Sequence, residues 1–257
     1  MTIVSHTHEF IFLKTRKTAG SAIELWLADY LVPRRDLIAS AKELRTLKPD
    51  IAQQLSGEIG GFRGRVRALT GHDSRLGQHM PALRVRQMVG SRVWRRYRKI
   101  TVVRNPWDRI ISFWRWRQRR MKQAVTLEEF ITAIESGSNE TMKACSALGW
   151  DNWPIYSIDD VVVADEVIRY ENLNEDLRRV CGEIGIALTE LPRAKTGIRK
   201  PQDTTDILTR SQCARIAALF KKEIEVFGYV EPHQCNPTHS QLVTSQPFPS
   251  NTEKVKS

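Results

Sequence analysis

Apolar residues along this chain fall into two kinds of run. Phe10 to Leu13 is a block of large apolar side chains that stops at a polar, glycine-containing turn, the pattern of a strand buried in a parallel sheet. After the turn the spacing changes: Ile23, Leu27, Tyr30 and Leu31 recur at helical intervals from Ser21 onward, and Pro33 marks the end. The same strand, loop, helix unit returns later. A helix is predicted over about residues 81–89, followed by a second buried strand over 100–103. That strand runs into the Asn105-Pro106 turn and a helix carrying Ile110, Phe113 and Trp114. Residues 161–163 and 167–170 read as further strands, and the segment after Asn172 as a helix through Leu177 and Val180 that ends near Gly185. A closing helix starts at Thr209, where Gln212 completes a capping box, and runs through Ile216, Phe220, Ile224 and Phe227 to Gly228.

Two stretches break the pattern. Residues 33–77 are polar, basic and poorly periodic, interrupted by Gly57, Gly60, Gly61 and Gly64, and read as a variable loop-and-helix insertion. After Glu231 the composition turns to Pro, Ser, Thr, Asn and Gln, so 232–257 reads as a disordered tail. The alternation of strands and helices predicts one α/β domain over 1–231, a three-layer, P-loop-like fold around a central mainly parallel sheet. Its ligand is expected at the carboxyl ends of the strands.

Composition narrows the class. With 41% hydrophobic and 27% charged residues the chain is an ordinary folded one, which excludes wholesale disorder. No stretch approaches the roughly 20 apolar residues of a membrane helix. Cys145, Cys181, Cys213 and Cys235 stand far apart without a C-x-x-C pair, which suggests neither zinc site nor disulfide framework, and a cytoplasmic location is expected. The formal charge of +11 implies an anionic partner. It is concentrated, since residues 84–122 hold fourteen Lys or Arg and a single acid, Asp108. A nucleic-acid-binding module, stacking bases on Trp114 and Trp116, is therefore one reading, although Trp114 fits better as a core residue.

The chemistry gathers at the two strand ends. Lys14-Thr15-Arg16-Lys17-Thr18-Ala19-Gly20-Ser21-Ala22 combines cations, a glycine, a hydroxyl and the start of a helix, whose unpaired N–H groups and partial positive charge suit an anion. The plain alternative is a basic turn capped by Ser21. The loop is not a Walker A motif, because Lys17 precedes Gly20 instead of following the second glycine. At the second strand end Arg104 offers a planar guanidinium suited to bidentate phosphate contact, and Ser112 follows eight residues later on the helix. Asp108 and Arg109 read as a structural ion pair.

A Lys-Thr-Ala-Gly-Ser loop after the first strand, with Arg104-Asn105-Pro106-Trp107-Asp108-Arg109 and Ser112 after a later one, resembles the paired nucleotide motifs of the PAPS-dependent sulfotransferases, closest to bacterial members related to the carbohydrate sulfotransferases. PAPS is 3′-phosphoadenosine 5′-phosphosulfate. Gln78-His79-Met80-Pro81-Ala82, Trp153-Pro154-Ile155-Tyr156-Ser157-Ile158-Asp159, Ile168-Arg169-Tyr170-Glu171-Asn172-Leu173 and Leu191-Pro192-Arg193-Ala194-Lys195-Thr196-Gly197 are similar to that family too. The resemblance implies sulfuryl transfer from PAPS to a hydroxyl or amine by in-line displacement, with a carbohydrate among the acceptor classes and no metal. It places Arg16, Lys17, Thr18, Ala19, Gly20, Ser21 and Ala22 at the 5′-phosphosulfate, and Arg104, Ser112 and Arg199 at the 3′-phosphate. Lys17 is the expected catalytic cation and His79 the expected general base, with His72 in reserve. His6, His8, His233 and His239 are assigned to mobile ends. The runner-up is a P-loop-like small-molecule kinase using ATP.

Overall fold

The computed structural model describes residues 2–31, 76–119, 124–186 and 207–232. In chain order these form β1 (Ile3–Ser5), β2 (Phe10–Leu13), α1 (Gly20–Leu31), α2 (Ala82–Arg96), β3 (Arg98–Val103), α3 (Pro106–Gln118), α4 (Leu127–Glu135) and α5 (Asn139–Ala144). They continue with α6 (Trp153–Tyr156), β4 (Ser157–Ile158), β5 (Val161–Val162), β6 (Glu166–Arg169), α7 (Leu173–Glu183), α8 (Arg210–Leu219) and α9 (Lys221–Phe227). The insertion expected at 33–77 lies outside the described residues except for Leu76 and Gly77, and so does the tail from 233 onward. The chain divides into two compact units, Met1–Asn105 with Asp151–Ile198, and Pro106–Trp150 with Arg199–Ser257.

The first unit is built on a four-stranded sheet in the order β1-β2-β3-β6, in which β2, β3 and β6 run parallel and β1 is antiparallel to β2. This is the mixed α/β architecture with a mostly parallel sheet that the apolar runs predict. Successive side chains of a strand face opposite sides. Phe10, Phe12, Ile100, Val102 and Ile168 therefore share one face, where Ile23 and Leu27 of α1 and Leu177, Val180 and Cys181 of α7 cover them. Ile11 and Leu13 point the other way and are fully buried as well, which is why the run is continuous rather than alternating.

Several expectations need correction. His6 and His8 do not lie in a mobile end: they occupy the turn between β1 and β2, where His6 Nδ1 is 2.7 Å from the Tyr97 hydroxyl and His8 Nδ1 is 3.3 Å from the Ile184 carbonyl. The strand expected at 161–163 belongs to a separate two-stranded sheet, β4-β5. The helix expected over 81–89 continues to Arg96 across a kink at Gly90, whose φ of 81° is open to glycine.

In the second unit Trp107, Ile110, Ile111 and Phe113 of α3, Phe130, Ile131 and Ile134 of α4, and Cys213 and Ile216 of α8 form one core with Phe220. Arg109 is buried there and donates to both oxygens of Glu223 at 3.2 and 3.0 Å, so its ion pair is with α9. Trp114 donates its Nε1–H to the Val125 carbonyl at 2.7 Å, and Trp116 packs against the Phe113 ring. Both indoles are committed to the core, against the base-stacking reading. Cys213 is disulfide-bonded, a pairing that the spacing of the cysteines did not suggest. Cys145 and Cys181 are free.

The closing helix breaks at Phe220 into α8 and α9 and ends at Gly228 in the left-handed conformation, φ 64°. The capping box at Thr209 and Gln212 is formed. Thr209→Ala is expected to lower the stability of this unit by about 1 kcal/mol, read as a lower urea midpoint at unchanged slope.

Candidate anion-binding site

The register of the first unit's sheet sets the site. Val103 pairs with Arg169, so β3 and β6 end at one level, at Arg104 and Tyr170, while β2 ends two residues lower, with Leu13 beside Thr101. The loop after β2 is then pinned almost residue by residue. Thr15 donates its hydroxyl proton to the Val102 carbonyl at 2.5 Å, so Thr18 is the donor in the 2.7 Å contact between the two threonine hydroxyls. Arg16 is clamped by an amide: its N–H donates to Asn152 Oδ1 at 2.9 Å, and Asn152 Nδ2 donates to the Arg16 carbonyl at 3.0 Å. Asp151 holds Asn152 in place by accepting from the Trp153 N–H at 2.8 Å at the start of α6. Lys17 and Ala19 sit at φ 65° and 58°, a left-handed conformation that costs a non-glycine residue about 1–2 kcal/mol and persists only where the surroundings enforce it. The loop ends as α1 begins, where the amides of Ala22 and Ile23 bond back to the Ala19 carbonyl.

Arg104 joins the second strand end to this loop. Its guanidinium donates to the Lys17 carbonyl at 2.8 Å and stacks 3.9 Å above the centroid of the Tyr170 ring. The Asn105 N–H donates to Glu171 at 2.6 Å, which ties the following turn to the segment after β6. The site thus brings together Arg16, Lys17, Thr18, Ala19, Gly20, Ser21, Ala22 and Arg104. Thr18 contributes its backbone only, because its side chain is buried within the loop. Lys14 does not join the cations of the cradle: it is 3% exposed and donates to Glu24 of α1 at 2.5 Å. Burial raises the affinity of Glu24 for a proton, but the positive charge around it, Lys14 foremost, outweighs that and holds its pKa below the usual value.

His79 stands just before α2, half-buried, at φ 55°. Its Nδ1 lies 3.0 Å from the Lys14 carbonyl, and a carbonyl only accepts, so Nδ1 carries the proton and Nε2 the lone pair. Burial first, then the charge of Arg16, depress its pKa to about 4, against the Lys14 hydrogen bond, so the ring is neutral at physiological pH. Beside it, Met80, Arg84, Gln87 and Met88 line a hollow of about 360 Å³.

Ser112 lies in the second unit, half-buried on α3. Arg199 and the reserve His72 lie outside the described residues. Asn152, Lys14 and Tyr170 were not among the residues expected at the site. Tyr170 lies within a segment of family resemblance and Asn152 borders one, whereas the inward turn of Lys14 has no signal in the sequence. Among the described residues no cluster of three or more His, Cys, Asp or Glu is placed to hold a metal ion, and no helix is long and apolar enough to cross a membrane.

A mostly parallel sheet whose strand ends carry a strained cationic loop, a helix start and a guanidinium gives this mixed α/β protein a candidate anion site. Residues 1–230 match the model of the sulfotransferase family, and the chain belongs to that family. No curated protein and no solved structure matches it.

Proposed function

We propose that the protein transfers the sulfuryl group of PAPS to a hydroxyl or amine of an acceptor bound beside His79. The observation that carries this reading is the joint between the two strand ends: Arg104 holds the Lys17 carbonyl, so a cation suited to one phosphate is built into the loop suited to another. A donor with phosphates at both 3′ and 5′ positions fits that pairing, and ATP does not. In the reaction the acceptor oxygen or nitrogen forms a bond to sulfur as the bond from sulfur to the 5′-phosphate oxygen breaks. The products are the sulfated acceptor and 3′,5′-adenosine bisphosphate (PAP). Lys17 and the amides at the start of α1 stabilise the negative charge on the departing phosphate. His79 Nε2 takes the acceptor's proton. Arg104 is assigned to the 3′-phosphate, and Ser112 and Arg199 are assigned to it by family pattern alone. The role of the protein is mainly to align donor and acceptor, as in phosphoryl transfer. The hollow lined by Met80, Arg84, Gln87 and Met88 begins at the residue after the proposed base and is where the acceptor, a carbohydrate among the candidate classes, is expected to lie.

Calorimetric titration tests this reading. PAP is expected to bind and to raise the melting temperature without added magnesium, since a ligand specific for the native state stabilises it by an amount that grows with the logarithm of its concentration relative to Kd. Stabilisation by ATP with magnesium and none by PAP would hand the site to the kinase reading.

A further inference from the structure

Lys14 has a cationic side chain at the mouth of the donor loop, yet it faces inward. Its ammonium meets Glu24 at 2.5 Å in a pair that is 3% and 10% exposed at the side chains. Its stem runs beneath the first residue of α1. A Cβ added at Gly20 would come within 3.0 Å of Lys14 Cγ and 3.1 Å of its Cε, which gives a physical reason for glycine at that position. The Lys14 backbone carbonyl is also the acceptor for His79 Nδ1. One residue therefore touches the start of α1 with its side chain and the imidazole with its main chain.

We propose that Lys14, paired with Glu24, is a positioning residue that sets the donor loop and His79 in one frame, and is not itself a ligand of the donor. This rests on the sulfuryl-transfer reading of the site. The pair fixes the floor on which the first turn of α1 sits, and so the aim of the amides that face the donor. The strand end it anchors presents the carbonyl that keeps the His79 proton on Nδ1 and leaves Nε2 open for the acceptor's proton. A buried pair is a suitable anchor because its two members are unequal: without Lys14 the Glu24 carboxylate keeps the N-terminal ammonium as a partner, whereas without the Glu24 charge the Lys14 ammonium loses its carboxylate.

That asymmetry supplies the test. Lys14→Met, which keeps the stem, Glu24→Gln, and the double variant are compared in the full-length chain for melting temperature, PAP affinity, and kcat and KM for PAPS. Each single variant is expected to melt lower, Glu24→Gln more so than Lys14→Met because Glu24 also serves the N-terminal ammonium, and the double variant to recover part of the Glu24→Gln loss. Turnover in the double variant is expected to stay at least about tenfold below the parent with KM for PAPS little changed, because misplacement of reacting groups costs rate rather than affinity. Nitrogen NMR of the histidine rings without nucleotide, with His79→Gln to assign the signal, is expected to show Nδ1–H in the parent and mixed tautomers in the double variant. A double variant with the parent's kcat, or with an unchanged tautomer, overturns the assignment. So does Lys14→Met that loses PAP affinity at the parent's melting temperature, which would make Lys14 a donor ligand. Should the parent neither bind PAP nor transfer a sulfuryl group, the sulfuryl-transfer reading fails, and the NMR comparison still decides whether Lys14 orients His79.

Discussion

Lys17→Ala is expected to lower the turnover number by about 100- to 1,000-fold while PAP still binds, an effect of roughly 3 to 4 kcal/mol on the barrier by analogy with deletion of an oxyanion donor. The expectation follows from where charge changes. In PAP the 5′-phosphate is already present, so the loop amides and Arg104 retain most of the affinity. Only during bond breaking does new charge build on the phosphate oxygen that Lys17 is positioned to meet. Alanine tolerates the left-handed backbone at position 17 no worse than lysine does, so the loop conformation at φ 65° is preserved. Arg104→Ala should behave in the opposite sense and weaken PAP binding more than Lys17→Ala does, because it removes the cation assigned to the 3′-phosphate and the strut under the Lys17 carbonyl. Single-turnover kinetics with labelled PAPS, beside calorimetry with PAP, separate the two. Unchanged turnover in Lys17→Ala would show that the cradle holds its anion by backbone alone.

His79→Gln is expected to keep PAP affinity and lose about 100- to 10,000-fold in rate, the range for a positioned general base. The depressed pKa gives this prediction a pH signature. With a pKa of about 4 the ring is already unprotonated across the neutral range, so the rate of the parent should be level there and fall only as pH drops through about 4. Stability follows the same group. Between about 4 and the ordinary value of 6.5 the unfolded chain binds a proton at His79 that the folded chain does not. Stability therefore rises with pH across that window and falls on acidification through it, and His79→Gln should remove this contribution. Melting curves from pH 4 to 7 on both proteins, with turnover on the same preparations, check both halves. A stable His79→Gln protein with the parent's rate would take His79 out of the mechanism.

Much of the frame was legible along the chain because it is local. The continuous apolar runs of β2 and β3 mark strands buried on both faces. The intervals in α1 and α7 mark helices with one buried face, and the capping box at Thr209 starts α8 where it should. Helix α4 carries the same signal in Thr126 and Glu129, although no helix was expected there. The loop after β2 could be singled out as a candidate anion cradle because helix start, glycine and lysine are neighbours in sequence.

What the tertiary structure alone decided concerns partners far apart. Asn152 clamps Arg16 from 136 positions away, Arg104 lies over Tyr170 and on the Lys17 carbonyl, and Arg109 finds Glu223 rather than its neighbour Asp108. Lys14 and Lys17 look alike in the sequence, yet one is buried against Glu24 while the other remains half-buried in the cradle. Local propensity and periodicity say which face of an element is apolar. They do not say which register two strands adopt, and it is the register, Leu13 beside Thr101 and Val103 beside Arg169, that brings Arg104 to the Tyr170 ring and the Lys17 carbonyl.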